Sequence, residues 1–301
     1  MVPEQQVQLP ILRMTTGIDA GNSGFPGVPG APGFDFRQGS PGGPSAAALE
    51  RFGIKLTPGG AHISRTMMLV ELEALLAAVP ANSPTSAYRE AILERNVLGK
   101  ATVATRQKSL RHLRELYAVQ DSVPIFGLLR ELHGIDPASL PLLAFQVAWA
   151  RDSLLRATTG ALFPAAEGSI VGSETLSDAV EKVYPGQYSE PNYRKVGRNA
   201  TTSWRRSGHL SGRARTVRLR VVPSATAVTL ALFLGQVCGF HGEAVFASPW
   251  CRLLDLAPEQ ARLAAIQAHR AGLLNLRAIG VMVEISFPLL AKYAPGTPHP
   301  A

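Results

Sequence analysis

Residues 192–206 read NYRKVGRNATTSWRR and run on at 207–222 as SGHLSGRARTVRLRVV. At ~100° per residue, Tyr193, Val196, Gly197, Ala200 and Trp204 fall on one side of a helix. Arg194, Lys195, Arg198, Thr202 and Arg205 fall on the other, with Asn199 and Arg206 on a flank. Gly208 suits the left-handed stop of such a helix. Two β-like runs follow, His209–Ser211 and Val217–Val222, around the basic turn Gly212–Arg215. Pro223-Ser224 closes the second run and starts an apolar helix over 225–239. A shorter helix, Leu176–Val183, precedes the whole stretch. Helix, helix, short strand, basic turn, strand is the order of a winged helix.

The charge of the chain is concentrated here. Its formal net charge is +8 and its pI about 9.9. No Asp or Glu lies between Pro191 and Gly242, yet nine Lys or Arg do: 194, 195, 198, 205, 206, 213, 215, 218 and 220. These nine exceed the net charge, so the remainder is nearly neutral. Uniform solubilising charge would not segregate this way, and a polyanionic partner is expected, either nucleic acid or an acidic lipid surface. The apolar side can bury Trp204. The basic side can lie in a major groove, where Arg reads guanine edges and Asn reads adenine. Arg213 and Arg215 would grip phosphate or an adjacent minor groove. The plainer alternative is a solvated face, or one docked on an acidic protein.

Outward from this stretch the periodicity predicts a mainly α protein with small β wings. Its N-terminal half reads as helix-turn-helix and its C-terminal half as winged helix. Helices are expected over Ser64–Val79, with Ser64 as cap, over Ser83–Val97, Thr102–Tyr117, Phe126–His133 and Leu140–Phe163. Val103, Leu110, Leu113 and Tyr117 would form the buried stripe of the third. Lys108, Arg111 and His112 would point away from it, with Lys100 in the preceding turn, making a second candidate DNA contact. Arg106 falls near the stripe and fits this less well. Towards the C-terminus a helix, Pro258–Ala271, is followed by strand-like runs Leu273–Arg277 and Val281–Phe287, a second wing-like order. The expected division is a disordered Gly/Pro-rich tail at 1–60 containing three G-X-P triplets, then 61–165, 166–242 and 243–301.

Enzyme signatures are missing from the sequence. There is no G-x-x-x-x-G-K-[ST], H-E-x-x-H, G-x-S-x-G or C-x-x-C. Cys238, His241 and Cys251 lack an evident fourth ligand, so two buried structural cysteines are expected and no metal or cofactor. His209 and Ser211 share a strand face without an orienting carboxylate and read as a strand edge. Two cysteines cannot make a disulfide framework, so a reducing cytoplasm is the expected compartment. No signal peptide is evident, and the apolar run Ala225–Phe240 falls short of the ~20 residues that span a bilayer.

Several stretches together resemble the BrxA family of BREX phage-defence systems over about residues 54–290. They are Leu56-Thr-Pro-Gly-Gly-Ala61, Ile92-Leu-Glu-Arg-Asn-Val-Leu98, Lys100-Ala-Thr-Val-Ala-Thr-Arg106, and the 192–212 helix and turn with its Trp-Arg-Arg-Ser-Gly-His-Leu run. The Gly/Pro-rich extension departs from that family's pattern. The resemblance implies a small winged-helix, double-stranded-DNA-binding accessory without catalysis or a small-molecule substrate. Its setting would be a bacteriophage-resistance locus that also encodes a methyltransferase and ATPases, some of whose products could be partners. A protein–protein adaptor and an RNA-binding module are the alternatives. The second is the weaker, for want of an aromatic stacking platform.

Overall fold

Apolar residues at helical spacing carry most of this chain into helices. The computed structural model describes residues 43–81, 83–119, 123–279 and 282–294. Its first eight helices are α1 (Ala46–Phe52), α2 (Leu69–Ala78), α3 (Thr85–Leu93), α4 (Val103–Tyr117), α5 (Pro124–Ile135), α6 (Leu140–Arg151), α7 (Ser153–Ala157) and α8 (Thr159–Leu162). Helices α9 (Ser173–Val183) and α10 (Glu190–Arg206) lead into β1 (Leu210–Ser211) and β2 (Val217–Arg218). Helices α11 (Ala225–Val237), α12 (Pro249–Leu253) and α13 (Pro258–Arg270) precede β3 (Asn275–Ile279) and β4 (Met282–Ser286). The protein is therefore mainly helical with two small antiparallel sheets.

One apolar cluster runs from Leu49 to Leu290 and draws on all three segments expected as separate domains. Its aromatic contacts cross the expected boundaries. Phe145 packs on Trp204 with ring centroids 4.5 Å apart, and Trp149 meets Trp250 edge-on at 4.9 Å. A smaller cluster of Leu154, Ala157, Val180, Tyr184, Tyr193 and Val196 sits under α9 and α10.

Several expected boundaries move, each for a local reason. The segment expected as tail contains α1, which Ser45 caps and which buries Leu49 and Phe52. The G-X-P triplets lie outside the described residues. Ser64 ends a 3-10 turn (Ala61–Ile63) and caps nothing; α2 starts five residues later, after Met68 in a left-handed conformation. Pro84 stands just before α3, not in its first turn. The single helix expected over 140–163 is broken at Asp152, whose Oδ1 accepts the amides of Leu154 and Leu155 at 3.0 Å each and so starts α7. That carboxylate offers the backbone a better partner than the helix ladder would. Val103, the first residue of α4, is 59% exposed, and the buried stripe is Leu110, Leu113, Leu116 and Tyr117.

Strand β2 pairs with β1 in the register Leu210↔Arg218 and Ser211↔Val217. On its other side Ile170 bridges Val217, the Val171 amide bonds the Thr216 carbonyl and the Arg218 amide bonds the Ser169 carbonyl. Residues 168–171 thus form an irregular third edge, with β2 in the middle. β2 is shorter than expected because Asp255 Oδ2 takes the Val221 amide at 3.0 Å. Strands β3 and β4 form a hairpin, Asn275↔Ser286 to Ile279↔Met282.

Candidate nucleic-acid interface

Helix α10 is held by its inner face. Tyr193, Val196, Gly197, Ala200 and Trp204 are all buried, as their spacing predicts. Gly197 lets α10 approach α9 closely: a Cβ there would sit 2.3 Å from the Ser173 carbonyl oxygen. Trp204 Nε1 donates to Thr158 Oγ1 at 2.8 Å, so its polar end is satisfied as its rings are buried.

A buried polar chain pins one edge of the helix. Ser203 Oγ accepts the Met67 amide and lies 2.8 Å from His62 Nε2. His62 Nδ1 lies 2.7 Å from Asp152 Oδ2, which also accepts the His62 amide at 2.9 Å. Burial alone would raise the Asp152 pKa. The His62 charge and hydrogen bonds, with the Leu155 amide, outweigh it and hold the carboxyl below its ordinary range. Ser, His and Asp in this order match a nucleophilic triad, but His62 and Asp152 are at most 1% exposed and Ser203 is as deeply buried. A substrate has no approach to that hydroxyl, and what the chain does is clamp α10 to the 62–67 segment and to α7.

The outer face carries the charge. Lys195, Arg198 and Arg206 are exposed, as are Arg213 and Arg215 on the β1–β2 turn. Arg205 is half-buried, and its Nη1 donates to the Gly212 carbonyl at 3.3 Å, tying the end of α10 to that turn. Gly212 has φ +90°, and a Cβ there would lie 2.2 Å from the Arg215 carbonyl oxygen, so the tight turn needs glycine. The Thr202 hydroxyl donates back to the Arg198 carbonyl at 3.2 Å.

Two site residues on α10 are engaged elsewhere. Arg194 Nε pairs with Glu190 Oε1 at 2.7 Å, one turn earlier, although both remain exposed. Asn199 Nδ2 donates to the His62 carbonyl at 2.8 Å, so the amide expected to read adenine is turned to the protein. Two further cations are paired with an acid, Arg218 in the interior and Arg220 at the surface. Arg218 is buried and bonds both Asp255 oxygens, and Arg220 Nη1 reaches Asp255 Oδ1 at 2.9 Å. Asp255 stands beyond the acid-free stretch. Burial would raise its pKa, but the Arg218 hydrogen bonds and His209 hold it low. Six cations remain: Lys195, Arg198, Arg205, Arg206, Arg213 and Arg215. Among the described residues none of the six forms an ion pair with a carboxylate.

His209 is buried and does not meet Ser211. Its Nε2 donates to the Leu253 carbonyl and its Nδ1 faces Ser207 Oγ, each at 2.8 Å. Burial pushes its pKa down to about 4.

The second basic cluster is thinner than expected. Lys100 Nζ pairs with Glu71 Oε1 at 3.0 Å in a half-buried site. Arg106 spends its guanidinium on the Leu93 and Lys100 carbonyls. His112 is only 6% exposed and packs inward, contrary to the expected outward face. Lys108 and Arg111 are exposed on α4. Arg65, which the sequence did not single out, is exposed, and its charge acts on His112 of α4; no local pattern marks it.

Among the described residues no group of three or more His, Cys, Asp or Glu could hold a metal ion. Cys238 and Cys251 are buried, and burial pushes both thiols up to about 12. No described helix is long and apolar enough to cross a membrane. The chain matches no protein-family model and no curated protein.

Proposed function

We propose that this chain is a non-enzymatic duplex-DNA-binding protein. In this reading α9, α10, β1, β2 and the 168–171 edge form a winged helix, α10 its recognition helix and residues 212–216 its wing. One observation carries the proposal: six cations with no carboxylate partner among the described residues share the outer face of α10 and the adjoining turn, while the inner face of the same helix is locked to the core. Lys195, Arg198, Thr202, Arg205 and Arg206 fall within an arc of roughly 100° around the helix axis. A ridge of that width suits the phosphate walls of a major groove. With Asn199 turned inward, affinity comes chiefly from phosphate contact. The resemblance of the sequence to BrxA proteins supports extending the proposal to a bacterial phage-defence system, with this chain as an accessory to catalytic subunits.

The test is duplex binding by the intact chain and by the variant Lys195→Ala/Arg198→Ala/Arg206→Ala. At ~1 kcal/mol per lost contact, the low end for a basic side chain on DNA, three losses weaken binding by roughly two decades. The thermal unfolding of the variant should match the parent, since all three side chains are solvated. Unchanged affinity would reject this surface. Preference for RNA over duplex, or capture of a protein partner that survives nuclease, would reject the DNA reading.

A further inference from the structure

Resting on the duplex-binding reading, we propose that Arg65 joins the outward face of α4 to that of α10, so that one duplex is held by Arg65, Lys108 and Arg111 as well as by α10 and its turn. The segment carrying Arg65 is wedged between the two helices. From α10, Asn199 Nδ2 bonds the His62 carbonyl and Ser203 Oγ takes the Met67 amide, both at 2.8 Å. From the end of α4, the Tyr117 hydroxyl donates to the Met67 carbonyl. Met67 is thus fastened to both helices through its two backbone groups, and Arg65 stands two residues before it.

Arg65 itself is exposed. Its Nη1 bonds the neighbouring Ser64 carbonyl at 3.1 Å, and among the described residues it pairs with no carboxylate. Its charge reaches α4. Burial is the main reason the His112 imidazole is held below its ordinary range, and the charges of Arg111 and Arg65 add to that effect. The acid at this edge is Glu115, whose Oε2 is 3.6 Å from His112 Nδ1, so Arg65, Lys108 and Arg111 outnumber it. On α10, Lys195 and Arg206 lie within about 40° of Asn199, along the edge that faces the Arg65 segment. In this proposal the positive strip continues from α4 across Arg65 to α10, instead of ending at the helix edge. A strip that turns across three chain segments fits the backbone of a duplex running beyond one groove width.

The experiment is the salt dependence of binding to a duplex of about three helical turns, using the intact chain. The variant is Arg65→Gln/Lys108→Gln/Arg111→Gln, which keeps the apolar stems and removes the charges. Each phosphate contact contributes about 0.9 to the slope of log K against log salt, so the variant's slope should be shallower by about 2 to 3. Arg65→Gln alone should remove about 0.9, and Arg65→Lys should restore it. If the triple variant keeps the parent slope while the α10 variant loses affinity, the bridge is wrong and the α10 reading stands. If both variants bind like the parent, the underlying reading falls too.

Discussion

Replacing Asp255 by Asn removes the charge and turns one oxygen, which accepts two N–H groups, into a donor; the backbone is spared, because Asn tolerates the positive φ of 59° that this residue adopts. The consequences should be large. Arg218 is 1% exposed and loses the one carboxylate it pairs with among the described residues. What remains to its guanidinium are the His209 and Leu219 carbonyls and one uncharged amide oxygen at position 255, and its Nε already lacks a partner among the described residues. Breaking a buried ion pair from one side costs about 3–5 kcal/mol, because the remaining charge stays desolvated. The half-exposed Arg220 adds little, since its pair is screened. Measured against a total stability of roughly 5–15 kcal/mol, the variant should lose at least about a fifth of its margin. Urea titration should show a lower midpoint at an unchanged slope, with Tm down by roughly 10 °C. Pairing the change with Arg218→Met should recover most of the loss, since an apolar filler removes the orphaned charge. A loss below about 1 kcal/mol in Asp255→Asn, or no recovery in the double variant, would refute the assignment of Asp255 as the anchor of β2.

Two other consequences follow from the same packing. His209 binds its proton less readily folded, at about 4, than unfolded, at ~6.5. Between those values the unfolded chain is protonated first, so stability should fall as pH drops from about 6.5 towards 4, by up to about 3 kcal/mol, and His209→Gln should flatten that limb of a pH–stability curve. An unaltered curve would contradict it. Gly197→Ala should destabilise, although Ala within a helix ordinarily gains ~1 kcal/mol over Gly. The added Cβ meets the Ser173 carbonyl oxygen, a backbone atom that cannot swing aside. A variant more stable than the parent in thermal unfolding would show that α9 and α10 do not approach this closely.

The amphipathic division of α10 was legible because both faces recur within fifteen consecutive residues, and helical spacing alone sorts them. The tight turn at Gly212 was legible for a similar reason, since glycine between two β-like runs leaves few alternatives. What escaped was set by partners distant in sequence. Asp255 reaches back 37 positions to draw Arg218 inward, and the alternating V-R-L-R pattern gives no hint of which side faces an acid. His62 meets Asp152 across 90 positions and Ser203 across 141. The same Asp152 breaks a helix whose apolar run continues undisturbed on either side. Asn199 looked like a reader of bases by residue type and face, but lies beside a backbone carbonyl that only the folded chain provides. The single core had no sequence signature either, because three separately amphipathic segments read alike whether they pack together or alone.

The most direct measurement is photo-crosslinking of the intact chain to a duplex bearing halogenated pyrimidines, with the attached peptides mapped by mass. Adducts should fall on residues 190–217, and first on the outer face of α10. Adducts confined to α13 and the β3–β4 hairpin, with α10 unlabelled at saturating duplex, would mean that the duplex lies elsewhere and the α10 ridge serves some other partner.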